Sequence, residues 1–275
     1  MISPVVAKQF FEAVLEEYGF SGWLIQLDHA TNNFRIEANV QTLFLPAYKS
    51  LSLARVRELL GHELEFHVLR AEAGKRTPLA LLAEGTRNFL TIDEGIAVHY
   101  DQQTAQTQNQ ALDEASMSTW IGTLATGLAA GVLSTPQTFL QLYRLLEDLY
   151  LLDRLLSKQE GDLGKAKTAA RRLALNRCLR TYRGIPDLTV PGMCYAKDAI
   201  YLRGYLQLQQ AIQEDPEVLD RLMVGKIAYE HVQEMKELGI TVPSIRPRWY
   251  AHRPDLNEYI LSFDSSHAGQ ERQHA

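Results

Sequence analysis

The spacing of apolar residues changes period twice early in this chain, and few folds accommodate that order of elements. Residues 4–18 carry apolar side chains at three- and four-residue steps and stop at Tyr18-Gly19, where glycine can end a helix. Three short runs rich in β-formers follow: WLIQLD (Trp23–Asp28), FRIEA (Phe34–Ala38) and TLFLP (Thr42–Pro46), separated by turn residues such as HATNN. They predict a small antiparallel sheet. From Ser52, an N-cap candidate, the helical period resumes through LARVRELLGHELEFHVLRAEAG to a stop at Gly74. After a looser stretch with Pro78 and Gly85, TIDEGIAVHYDQQTA opens another helix near Thr91 or Asp93. Thr135-Pro136 opens a leucine-striped helix, two more cover about 161–182 and 196–213, and Asp215-Pro216 starts the last helical region. The expected class is α+β, mostly α: a small N-terminal antiparallel sheet, an active-site helix and a C-terminal helical bundle. One domain over 1–263 is expected, with a polar tail, 264–275, left disordered.

Composition removes several function classes. With 28 basic against 33 acidic residues and a net charge of -5, the chain has no basic footprint for nucleic acid. Its most apolar stretch, Trp120–Leu133, falls short of the roughly 20 residues that cross a bilayer and reads as a buried helix. No membrane partner is expected. The opening residues mix acidic and apolar side chains, unlike a signal peptide. Cys178 and Cys194 lack metal-ligand spacing and do not make a disulfide scaffold, which suits a reducing cytoplasm.

The chemistry is carried by HELEFH, residues 62–67. In the H-E-x-x-H helix of many zinc proteases the histidines are four residues apart and share a face. Here they are five apart, which turns an ideal helix about 500° and leaves the imidazoles about 140° from each other. A π-type insertion, closing i→i+5 hydrogen bonds, brings such residues back over one another; a bend towards Gly74 is the alternative remedy. Catalytic zinc takes three protein ligands and a water. His62 and His67 supply two, and Glu94, in DEGIAVHY 27 residues after His67, supplies the third from a later helix. Glu63 is then placed to take a proton from the water and pass it to a leaving amine. H-E-x-x-x-H arises by chance in such a chain about one time in a hundred, so the hexapeptide needs the downstream EGIA to carry weight. Glu65 and Glu72 read as solvated helix charges, and His99 as a packed or supporting imidazole, because an open catalytic site needs only three protein ligands.

These segments resemble the microtubule-associated tyrosine carboxypeptidases, whose bacterial relatives carry a signature written QEGLA, here DEGIA. The resemblance runs through GHELEFHVLRAEAG and DEGIA and returns at RTYRGIPDLTVPG and YAKDAIYLRGYLQL, up to about residue 213. It implies a zincin-like metallopeptidase with one zinc ion on His62, His67 and Glu94, and Glu63 as the catalytic carboxylate. Asp93 stands where the family more often has Gln or Glu. The K-D-x-x-Y-L-x-G pattern matches at Lys197, Asp198, Tyr201, Leu202 and Gly204, while Tyr195 and Ala196 depart from it.

A carboxypeptidase must also bind a terminal carboxylate, for which Arg183 and Lys197 are the candidates. Lys197 and Tyr201, four apart, are expected to share a helix face, with the phenol donating to the oxyanion. The expected activity is zinc-dependent removal of a C-terminal residue, aromatic by resemblance, from a peptide or protein. The animal relatives act on tubulin, but no specific substrate transfers to this chain. A binding module that keeps the fold without turnover, and an endopeptidase, are the rival expectations.

Overall fold

The computed structural model describes residues 1–30, 34–107, 113–156 and 161–270. Its backbone divides into two compact units, Met1–Gln110 with Gln207–Ala275, and Ala111–Leu206.

The first unit begins with α1 (Pro4–Tyr18). Ser3 Oγ accepts the Val6 N–H at 3.2 Å, Pro4 occupies the first turn where its missing N–H costs nothing, and Gly19 closes the helix at φ 71°. One face of α1, including Phe10, Phe11 and Val14, is fully buried. The three strands form where the alternating runs lie: β1 (Leu24–Asp28), β2 (Arg35–Glu37) and β3 (Thr42–Pro46). Residues 31–33 of the expected turn lie outside the described residues.

The sheet corrects the expected topology. Its order is β1-β3-β2, with β1 parallel to β3 and β2 antiparallel to it, so the sheet is mixed. The cause is burial: Thr42, Leu43, Leu45 and Pro46 of β3 are all buried, on both faces, so β3 takes the centre. The segment from Asp28 to Thr42, which contains β2, is long enough for the crossover that a parallel pair requires.

Ser52 caps α2 (Leu53–Leu59), its Oγ accepting the Arg55 N–H at 3.1 Å. The helix then continues without a break as a π-helix, Leu60–Val68, and as α3 (Leu69–Lys75). The Leu69 N–H reaches back five residues to the Leu64 carbonyl. Gly74 does not end this helix; it permits close approach, since a Cβ there would lie 2.2 Å from the Leu82 carbonyl oxygen. After α4 (Leu81–Glu84), α5 (Phe89–Thr107) packs along the π-helix. It starts two residues before Thr91.

The second unit holds α6 (Asp113–Ala130), α7 (Phe139–Leu156) and α8 (Leu163–Thr181). Ala166, Ala170, Ala174 and Cys178 form a buried small-residue stripe on α8, the last three in one cluster with Leu142, Leu146 and Tyr150 of α7. Small side chains at every fourth position let these helices approach closely. α6 contributes Ile121, Ala125 and Ala129 to the same cluster. Among the described residues no helix is long and apolar enough to cross a membrane.

A 3₁₀ turn, Ala196–Asp198, leads into α9 (Ala199–Glu214), and the first unit resumes through α10 (Val218–Leu222), α11 (Val232–Glu237) and α12 (Leu256–Gln270). α12 runs into the segment expected to be a tail; 271–275 lie outside the described residues.

Candidate metal centre

His62 and His67 both lie in the π-helix, where five residues make about one turn. The 140° gap expected on an ideal α-helix is therefore closed, and the ring centroids are 5.2 Å apart. Glu94 comes from α5, and its Oε2 lies 3.8 Å from His62 Nε2 and 3.9 Å from His67 Nε2. One ligand atom from each residue lies within 4.8 Å of the others. Around an ion with bonds of about 2.1 Å, tetrahedral ligand atoms sit about 3.4 Å apart, so a small inward rotation of these side chains suffices. Two imidazoles and a carboxylate suit a divalent ion of the zinc type.

Each imidazole is oriented from behind. Asp101 Oδ2 lies 2.9 Å from His62 Nδ1, and Asp93 Oδ2 lies 2.7 Å from His67 Nδ1. Carboxylates on Nδ1 fix both rings with Nε2 directed at Glu94, which is the usual support behind metal-binding histidines. Burial alone would lower the His62 pKa, but Asp101, Glu63 and Glu94 outweigh it and push it up to about 10. His67 is likewise raised against the effect of burial, by Asp93, Glu94 and Glu63. Asp93 is held well below the usual carboxylate range: burial opposes this, and His67 and Arg70 prevail. Carboxylates that raise the pKa of two buried imidazoles create a negative potential that also favours a cation.

Sequence reasoning missed these supports. Asp101 was detectable, because seven residues past Glu94 is two helical turns and the same face of α5. In sequence Asp93 reads as a candidate helix start and as a departure from a family pattern, not as a support for His67.

The glutamates expected on the surface behave otherwise. Glu65 is 2% exposed, and its carboxylate accepts the Tyr18 hydroxyl at 2.6 Å and the backbone N–H groups of Tyr250 (3.0 Å) and Ala251 (3.2 Å). Glu72 accepts from Trp23 Nε1 at 2.8 Å and Lys75 at 2.7 Å. Protein donors meet both carboxylates. His99 is flanked by the amides of Gln103 (3.0 Å) and Gln209 (2.9 Å).

Arg183, Lys197 and Tyr201 belong to the second unit. Arg183 is exposed, with its guanidinium 4.4 Å over the Tyr195 ring. Lys197 is exposed and sits in the 3₁₀ turn ahead of α9, whereas Tyr201 lies in the helix proper, which corrects the expectation of a shared helix. Between them Asp198 is buried and paired with Arg177 (2.9 Å) and Arg180 (2.7 Å) of α8.

A family model described as microtubule-associated tyrosine carboxypeptidase matches residues 162–266. Over that segment the chain is similar to this family. The matched segment holds Arg183, Lys197 and Tyr201, and lies outside His62, His67 and Glu94. Among individual relatives, the mouse protein named "Putative tyrosine carboxypeptidase MATCAP2" is 39% identical over 64 residues, 23% of this chain and 12% of its own length. The human protein of the same name is 42% identical over 65 residues, again 23% and 12%. The similarity thus spans about an eighth of these relatives.

Proposed function

We propose that this chain is a zinc-dependent metallocarboxypeptidase that removes a C-terminal residue from a peptide or protein, with residues 1–263 as its catalytic region. The observation that carries the reading is the convergence of His62, His67 and Glu94, each imidazole backed by a carboxylate. Those three side chains would hold one zinc ion. When bound, such an ion polarises a carbonyl and lowers the pKa of its water to about 7. Glu63, next to His62 on the π-helix, takes the proton that the attacking water loses and delivers it to the leaving amine. A tyrosine as the released residue follows from the family and relatives' names, and the substrate is the C-terminus of a peptide or protein. The roles of Tyr201 as oxyanion donor and of Arg183 and Lys197 as carboxylate anchors rest on sequence pattern and chemistry.

Glu63→Gln tests the reading. Metal analysis should find zinc in both wild type and variant, while mass spectrometry of a C-terminally diverse peptide library shows shortening by wild type alone, with a loss of about 10²-fold or more in the variant. Identical spectra from both proteins would favour a binding module. Cleavage that survives amidation of the peptide C-terminus would identify an endopeptidase.

A further inference from the structure

Behind the metal centre lies a buried cation that the hydrolytic steps do not use. Arg70 follows His67 by three residues and is 0% exposed. Its Nη1 pairs with Asp93 Oδ1, while Asp93 Oδ2 meets His67 Nδ1 at 2.7 Å. The rest of the guanidinium donates to backbone: Nε to the carbonyls of Leu222 (3.2 Å) and Gly225 (3.0 Å), and Nη2 to that of Ile227 (3.0 Å). An unbroken chain of bonds therefore runs from the loop at 222–227 through Arg70 and Asp93 to one imidazole.

The loop is itself anchored. The Lys226 N–H donates to the Leu82 carbonyl at 2.7 Å, the Thr86 N–H to the Lys226 carbonyl at 2.9 Å, and the Ala228 N–H to Thr86 Oγ1 at 2.9 Å. Gly225 fits closely: a Cβ there would lie 2.9 Å from the Leu82 carbonyl oxygen and 3.1 Å from Gly74 Cα.

A guanidinium presents its donors in a rigid plane, so three carbonyls fix its orientation and, through it, the orientation of Asp93. We infer that Arg70 and Asp93 are positioning residues that couple the 222–227 loop to His67, so that this loop sets how tightly and in what geometry the centre holds its ion. The inference rests on the metal reading above and deepens it. Burying a guanidinium is a costly way to gain stability. Aligning a ligand imidazole is a use that the geometry supplies.

The test uses the full chain as wild type, Asp93→Asn, Arg70→Lys and Gly225→Ala, with circular dichroism to verify folding. Zinc affinity is measured by chelator competition, and ligand geometry by the visible spectrum of the cobalt(II)-substituted protein, which a purely structural role would leave unchanged. Asp93→Asn should weaken zinc binding about 10- to 100-fold. Gly225→Ala touches neither a ligand nor a ligand's partner side chain, yet should weaken binding about threefold or more and shift the cobalt bands. Arg70→Lys, keeping the charge but losing the fork, should fall between. If wild type binds zinc and all three variants bind it within about twofold with unchanged cobalt spectra, the coupling is overturned and the functional reading stands. A wild type that binds neither ion overturns both.

Discussion

Zinc binding should expel protons from this protein, and the number expelled measures the field that the carboxylates create. His62, pushed up to about 10, is fully protonated in the metal-free protein at pH 6.5. His67 is also raised above the ordinary imidazole range, by Asp93, Glu94 and Glu63 against the effect of burial. Both must lose their protons before Nε2 can accept a metal. The expected release is therefore at least about one proton per zinc at pH 6.5, from His62, with His67 adding to it. Deprotonating His62 at that pH costs about 5 kcal/mol, from roughly 3.5 pH units at 1.36 kcal/mol each. Apparent affinity should accordingly rise about tenfold or more between pH 5.5 and 6.5. Isothermal titration calorimetry in two buffers of different ionisation enthalpy counts the protons directly. Asp101→Asn, which removes the first carboxylate raising His62, should lower the count and flatten the pH dependence. A release below about 0.5 proton in wild type would mean that the imidazoles rest neutral, and the reasoning from the carboxylate field would fail.

In the metal-free protein the raised His62 pKa stabilises the fold fully below pH 6.5, and that contribution is lost as pH rises towards about 10, so thermal melts should be lower at pH 9 than at pH 6.5. Saturating zinc should reduce the difference. Glu65→Ala removes the acceptor of the Tyr18 hydroxyl and of two backbone N–H groups, and should cost about 3 kcal/mol in urea unfolding, since each buried unpaired donor costs about 1–3 kcal/mol. A loss below about 1 kcal/mol would show that water replaces the carboxylate there. Gly74→Ala places a methyl 2.2 Å from the Leu82 carbonyl oxygen, so α3 and α4 must separate, with a loss of about 1–3 kcal/mol in the same assay.

Local chemistry made much of this protein legible. Ser52 starts a helix because its hydroxyl satisfies a free N–H group close by in sequence, and Gly19 ends one because it tolerates a left-handed turn. The spacing of His62, His67 and Glu94 pointed to a metal, and the extra residue required a departure from α-helical geometry. Apart from Glu94, nominated from a later helix, all of that depends on neighbours within about a turn.

What only the tertiary structure decided involves groups far apart in the chain. β3 lies between β1 and β2 because it buries both faces, which no strand reveals until its neighbours are in place. Glu65 looked like a surface charge and became a buried acceptor because Tyr250 and Ala251, 185 and 186 residues away, bring their N–H groups to it. Arg70 found its partners 152 to 157 residues on, as backbone carbonyls that carry no sequence signature. Hydrogen-bond donors and acceptors exist on every residue, so sequence can nominate the ligands of a centre, but only the folded chain selects which distant groups hold them in position.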